Sequence, residues 1–140
     1  IAGSPRAAGY GQDVRAYLDH ANAELFVMVA VETPEAVANL GEILKVDGLD
    51  GIFIGPMDLA TSMGHFADPG QPEVKAAIAA IEARVLGSGK ALATVANSWE
   101  QAQALYDKGY QLLTVMADGV SLARLAADSV ARFRAAYPNG

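Results

Sequence analysis

Two carboxylates fall where chemistry would be placed. Glu32 ends the seven-residue apolar run Leu25 to Val31, and Asp58 follows the turn residues Gly55-Pro56, 26 residues further on. A carboxylate at the end of an apolar run lies close to the core, where it must be paired, bind a metal or become neutral. If the two preceding segments are neighbouring strands, about 4.8 Å apart, both side chains converge over the strand ends. Two hard oxygen ligands with open positions suit Mg²⁺ or Mn²⁺, whose remaining sites go to water and substrate. Taken singly, each residue also has a plainer reading. Glu32 is then a strand-end glutamate reaching water beside Thr33, and Asp58 is a loop or helix-cap aspartate.

Other reactive types offer less. With no cysteine there is no disulfide, thiolate metal site or cysteine nucleophile, and neither histidine stands beside the carboxylates, which counts against zinc. His20, beside Asp19, reads as a solvated surface residue. His65, in Gly64-His65-Phe66, is close enough to Asp58 in sequence to line the same cleft, or is simply a loop histidine. Arg6 sits in a glycine-rich segment and could reach an anionic group, or could belong to a mobile arm. Asn97 and Asp118 read as residues at helix starts, and Trp99 as a packing residue. None of the lysines (Lys45, Lys75, Lys90, Lys108) falls at the carboxyl end of a strand, so Schiff-base chemistry is disfavoured. Gly3, Gly9 and Gly11 make no phosphate-loop pattern, and no GxSxG elbow is present.

The elements that must position these residues follow from periodicity. Residues 1–12 read as a loop, and Asp13 to Glu24 as a short helix with Val14, Tyr17, Leu18 and Ala21 on one side. Leu25 to Val31 predicts a strand buried on both faces. Thr33-Pro34 caps a helix to about Leu44. A second strand spans Gly51 to Ile54, and residues 57–71 read as a long loop with a helical turn. Pro72-Glu73 opens a helix that Gly87 and Gly89 stop. A third strand covers Ala91 to Ala96, and Ser98 caps a helix that Gly109 ends. A fourth strand covers Leu112 to Met116, and Asp118 caps a last helix. Alternating strands and helices imply a parallel α/β sheet with crossover helices. In such folds chemistry lies beyond the carboxyl ends of the strands, where Glu32, Asp58, Asn97 and Asp118 fall. Four βα units make either a small doubly wound sheet or half of a barrel.

Composition narrows the class. The 140 residues suit one region with a real core, and a net charge of −6 excludes a basic stripe for nucleic acid. The longest apolar run is far short of the roughly 20 residues that span a membrane. The chain opens on Ile1 with no signal-peptide pattern, so a soluble, cytoplasmic fragment of a larger protein is expected.

The segments Val29-Ala30-Val31-Glu32-Thr33 and Gly51 to Leu59 (GIFIGPMDL), with Met63-Gly64, Pro72-Glu73-Val74, Gly89-Lys90-Ala91 and Leu122-Ala123, carry a resemblance. The chain resembles the metal-dependent pyruvate aldolases of the 4-hydroxy-2-oxoheptanedioate aldolase family, which includes 2-keto-3-deoxy sugar acid aldolases and macrophomate synthase. The resemblance implies that residues 1–140 are the carboxyl-terminal half of a (β/α)₈ TIM barrel. It implies Glu32 and Asp58 as the metal-binding carboxylates, for Mg²⁺, Mn²⁺ or Co²⁺, and the backbone at Met57 and Asp58 as the holder of the pyruvate carboxylate. It implies cleavage of 4-hydroxy-2-oxo acids to pyruvate and an aldehyde through a metal-stabilised enolate. The family's general-base histidine and enolate-binding arginine lie in the other half, so no catalytic residue is expected here and the fragment alone is expected to be inactive. His65 stands where the family often has an aromatic residue, and Arg6 where it has a basic loop residue. A homo-oligomer, a hexamer with residues 119–136 docked on a neighbour, is also implied. The competing readings are a citrate-lyase β-subunit-like acyl-CoA lyase, against which the Gly55-Pro56 turn argues, and a non-catalytic half-barrel assembly module.

Overall fold

Val31, Ile52, Ile54 and Leu92 lose all contact with water, and they lie on one face of a single sheet. The structure, a computed structural model, describes residues 6–138. Its strands are β1 (Met28–Val31), β2 (Gly51–Ile54), β3 (Ala91–Val95) and β4 (Leu112–Thr114), in spatial order β1-β2-β3-β4. Every pairing is parallel. Its helices are α1 (Val14–Glu24), α2 (Pro34–Ile43), α3 (Pro56–Ser62), α4 (Pro72–Leu86), α5 (Trp99–Lys108) and α6 (Asp118–Ala136). A kinked 3₁₀ segment, Arg6–Gly11, precedes α1.

The expected signals set most boundaries. Thr33 Oγ1 accepts from Ala36 N at 3.1 Å, with Pro34 opening α2. Ser98 Oγ accepts from Gln101 N at 3.1 Å to cap α5. Gly109, at φ 109°, ends α5 in the left-handed region that a β-carbon disfavours. Asp118 sits one place later than expected: Ala117 is the cap residue of α6, and Asp118 stands in its first turn.

Register sorts the side chains. Val29 pairs with Ile52 and Ile52 with Leu92, while Ala30, Phe53, Ala93 and Leu112 form a row across the other face. The first face packs on Leu40 of α2, Leu59 of α3, and Ile81 and Val85 of α4. Among the described residues no helix of the core cluster packs on the second face, where Ala30 and Leu112 are exposed and Ala93 is buried. That asymmetry corrects the expectation for the first strand. It is four residues long and not buried on both faces, because β1 is an edge strand; Leu25, Phe26 and Val27 are exposed before it. Likewise, Gly55-Pro56 opens a real helix, α3, where a helical turn within a loop was expected.

One polar cluster built on a buried glutamate braces α4 against the α5–β4 connection. Glu82 is 5% exposed, accepts from Tyr110 Oη at 2.8 Å, and accepts from Lys108 Nζ. Burial, then the hydrogen bond to Glu82, pushes the Tyr110 phenol well above its ordinary value. A raised folded-state value means stability that is present below the unfolded tyrosine pKa of about 10 and lost as pH climbs beyond it. Tyr110→Phe is therefore expected to lower stability by about 1 kcal/mol at pH 8. In urea unfolding, the gap between wild type and Tyr110→Phe should shrink progressively above pH 10; a gap independent of pH would contradict this account.

Candidate functional site

The parallel register that ends at Val31↔Ile54 sets the next residues of both chains side by side: Glu32 beyond β1 and Gly55 beyond β2. Since side chains alternate along a strand, Glu32 points to the face that carries Ala30 and Phe53, away from the helix-packed core. Gly55 is what leaves it room. A β-carbon placed on Gly55 would meet Glu32 Oε1, and would lie 2.7 Å from its Cγ and 2.8 Å from its Cδ. Gly55 has φ −98°, which any residue adopts, so the requirement for glycine here is steric and not conformational.

Asp58 is in the first turn of α3, where the helix dipole favours a carboxylate. Ser62, in the last turn of α3, ties the two positions together. Its Oγ is hydrogen-bonded to the backbone carbonyl of Glu32 and lies 2.7 Å from that of Asp58. The carboxylates themselves are left open. The ion pairs among the described residues are Arg15–Asp19, Lys45–Glu42, His65–Glu73 and Lys108–Glu82, and none uses Glu32 or Asp58. At the mouth of α3, Leu59 N is bonded to Gly55 O at 2.9 Å, whereas Met57 N and Asp58 N, as first-turn amides, have no acceptor within the helix.

A divalent cation fits this donor set. Among the described residues no cluster of three or more His, Cys, Asp or Glu is present, so a zinc-type cage is lacking. Two unpaired carboxylates, one in a notch that only a glycine leaves open, match Mg²⁺, which keeps several waters and takes few protein ligands.

The remaining candidates go elsewhere. His65 Nε2 lies 2.7 Å from Glu73 Oε1, so the histidine ties its loop to the first turn of α4. The Glu73 carboxyl is held below its usual range by its own backbone N–H and then by His65. Arg6 and His20 line a groove against α1 with Asp13 and Glu24, and neither site carboxylate lines it. Trp99 is 70% exposed, which corrects the expectation that it packs; it and Tyr106 flank a groove beside β4. Lys90 Nζ donates to Leu49 O at 2.6 Å at the amino end of β3, away from the strand ends that carry the site. Ser62 was not foreseen: a serine late in a helix looks like ordinary local back-bonding, and its partner is 30 residues away.

The model of the HpcH/HpaI aldolase/citrate lyase family matches residues 4–124. The chain belongs to the HpcH/HpaI aldolase/citrate lyase family. It is 42% identical over 118 residues to a hydroxypyruvate/pyruvate aldolase of Cupriavidus necator, covering 84% of this chain and 44% of that protein. It is 41% identical over 119 residues to a 4-hydroxy-2-oxo-heptane-1,7-dioate aldolase of Escherichia coli, covering 85% and 45%. A solved family protein from Burkholderia cenocepacia superposes with a TM-score of 0.81 at 36% identity, covering 96% of this chain and 52% of that one. Macrophomate synthase, at 21% identity and a TM-score of 0.80, covering 87% and 42%, shares the fold. The chain thus spans a little under half the length of the curated relatives it matches.

The notch between Glu32 and Gly55 yields a clean test. Gly55→Ala is expected to destabilise the chain by about 1–3 kcal/mol through overpacking. The same substitution in a Glu32→Ala background should cost much less, because the group it strikes is gone. Additive effects in a urea double-mutant cycle would show that Gly55 does not hold Glu32 in place.

Proposed function

We propose that this chain provides the cation- and oxo-acid-binding edge of a lyase that cleaves 4-hydroxy-2-oxo acids to pyruvate and an aldehyde. The observation that carries the reading is the pair of unpaired carboxylates, Glu32 in the Gly55 notch and Asp58 three residues further on, joined through Ser62. Membership of the family, with relatives named as aldolases at about 40% identity, supports it.

In this reading Glu32 and Asp58 hold Mg²⁺ or Mn²⁺, with Co²⁺ as a substitute. A cation bound there supplies Lewis-acid charge to the 2-oxo group. The amides of Met57 and Asp58 meet the substrate's C1 carboxylate, as free first-turn N–H groups do. The C4 hydroxyl gives up its proton to a base, the C3–C4 bond breaks, its electron pair passes into the 2-oxo fragment, and protonation at C3 yields pyruvate. His65 is not offered as that base, since its ring is engaged by Glu73.

No helix among the described residues is long and apolar enough to cross a membrane. α6 has no buried residue, and it exposes Val120, Leu122, Leu125, Val130 and Phe133. That bare apolar surface supports a homo-oligomer in which α6 docks on a neighbouring subunit.

Mn²⁺ titration of the chain, followed by water-proton relaxation, should show binding that EDTA reverses. Glu32→Ala and Asp58→Ala should each weaken it on the order of tenfold or more. Metal-dependent release of pyruvate from 4-hydroxy-2-oxo acids, by a polypeptide containing this region, should fall in parallel. Undiminished Mn²⁺ binding and pyruvate release in both variants would overturn the reading, and a requirement for acyl-CoA would redirect it to the citrate-lyase branch.

A further inference from the structure

The ladder between β1 and β2 stops at Val31↔Ile54, so Glu32 stands one residue past the last pair. Asp58 lies in the first turn of α3, beyond the end of β2. Along the chain the two are joined through α2, β2 and the segment between them. One side chain closes that path directly. Ser62 Oγ is bonded to the backbone carbonyl of Glu32, and lies 2.7 Å from that of Asp58 and 3.2 Å from that of Leu59. A serine hydroxyl carries a single proton, so these carbonyls share it. Asp58 O and Leu59 O, four and three residues back, are the usual acceptors of a helical serine. Glu32 O belongs to another element, 30 residues away, and bonding it does nothing for the helix. Its effect is to fix the backbone at the end of β1 against the backbone of Asp58.

Separation of ligands matters more to some cations than to others. Mg²⁺ demands near-ideal octahedral geometry at about 2.0–2.1 Å, whereas Ca²⁺ accepts six to eight oxygens at about 2.3–2.6 Å in looser arrangements. Two carboxylates on backbones that are tied together suit the stricter ion; two that can drift apart lose that preference. Gly55 limits where the Glu32 side chain lies, and Ser62 limits where its backbone lies.

We propose that Ser62 is a positioning residue of the cation site: it sets the separation of Glu32 and Asp58 and so selects Mg²⁺ or Mn²⁺ over Ca²⁺. It acts through two backbones and not as a ligand. The inference rests on the reading, given above, that these carboxylates hold a cation.

Mn²⁺ titration of the chain by water-proton relaxation, with Mg²⁺ and Ca²⁺ as competitors, measures all three affinities. Ser62→Ala should weaken Mn²⁺ and Mg²⁺ binding on the order of tenfold, as losing a bond that orients a ligand does. Ca²⁺ binding should weaken by less than about twofold. Ser62→Thr keeps the hydroxyl, at an exposed position with room for the added methyl, and should retain the preference for Mg²⁺. Alanine is the best helix former, so α3 itself is not weakened by Ser62→Ala. Tyr110→Phe is the control for lost stability: it should leave the ratio of Mg²⁺ to Ca²⁺ affinity unchanged. In a Glu32→Ala background Ser62→Ala should have no further effect, because no pair remains to be spaced. Unchanged Mn²⁺ affinity in Ser62→Ala, equal weakening of Mg²⁺ and Ca²⁺, or an undiminished effect in the Glu32→Ala background would each overturn the role of Ser62. If Glu32→Ala and Asp58→Ala still weaken Mn²⁺ binding in that case, the cation reading stands without it. Absence of saturable Mn²⁺ binding in the unsubstituted chain overturns both.

Discussion

Val31 lies opposite Ile54 in parallel register, so the next pair along, Glu32 and Gly55, meets at the carboxyl edge of the sheet. A shift of β1 by one residue would turn Glu32 into the helix-packed face, beside Ile52 and Ile54 of β2, where an unpaired carboxylate is strongly disfavoured. The register is held by burial on that same face, since the slip would turn buried Val31 out of it. The core therefore fixes where the carboxylate goes, although the carboxylate is no part of the core. Gly55 and Ser62 complete the arrangement, one by leaving space for the side chain and the other by holding the backbone of β1 onto α3.

The remaining packing serves the same edge. Helices α2, α3 and α4 cover one face of the sheet, and buried Glu82, bonded to buried Tyr110 and to exposed Lys108, braces α4 against the segment entering β4. Because both Glu82 oxygens have partners, the cluster satisfies a buried carboxylate that would otherwise be costly. It leaves Glu82 structural. The contrast with Glu32 and Asp58 is informative: Glu82 is buried and bonded to a lysine and a tyrosine, whereas neither Glu32 nor Asp58 is in an ion pair among the described residues.

Much of this was legible from residue order alone. Alternating periodicities gave the four strands, the parallel sheet and the helix caps at Thr33 and Ser98, because each rests on local chemistry that neighbours in sequence supply. The prominence of Glu32 and Asp58 also came from sequence, as polar residues at the ends of apolar runs. What was not legible depends on contacts between distant segments. Exposure of Leu25 to Val27 follows from β1 being an edge strand, which no local pattern announces. Exposure of Trp99 follows from what α5 leaves uncovered beside β4. The roles of Gly55 and Ser62 exist only because another strand's residue arrives beside them.

A sheet whose spatial order equals its chain order turns sequence position into distance along its carboxyl edge. Glu32 and Asp58 follow β1 and β2, which are neighbours, so the two carboxylates are brought to one stretch of that edge by a single parallel pairing. Asn97 and Asp118, which follow β3 and β4, stand further along it. The juxtaposition of Glu32 and Asp58 therefore depends on one parallel pairing and not on the packing of the later strands.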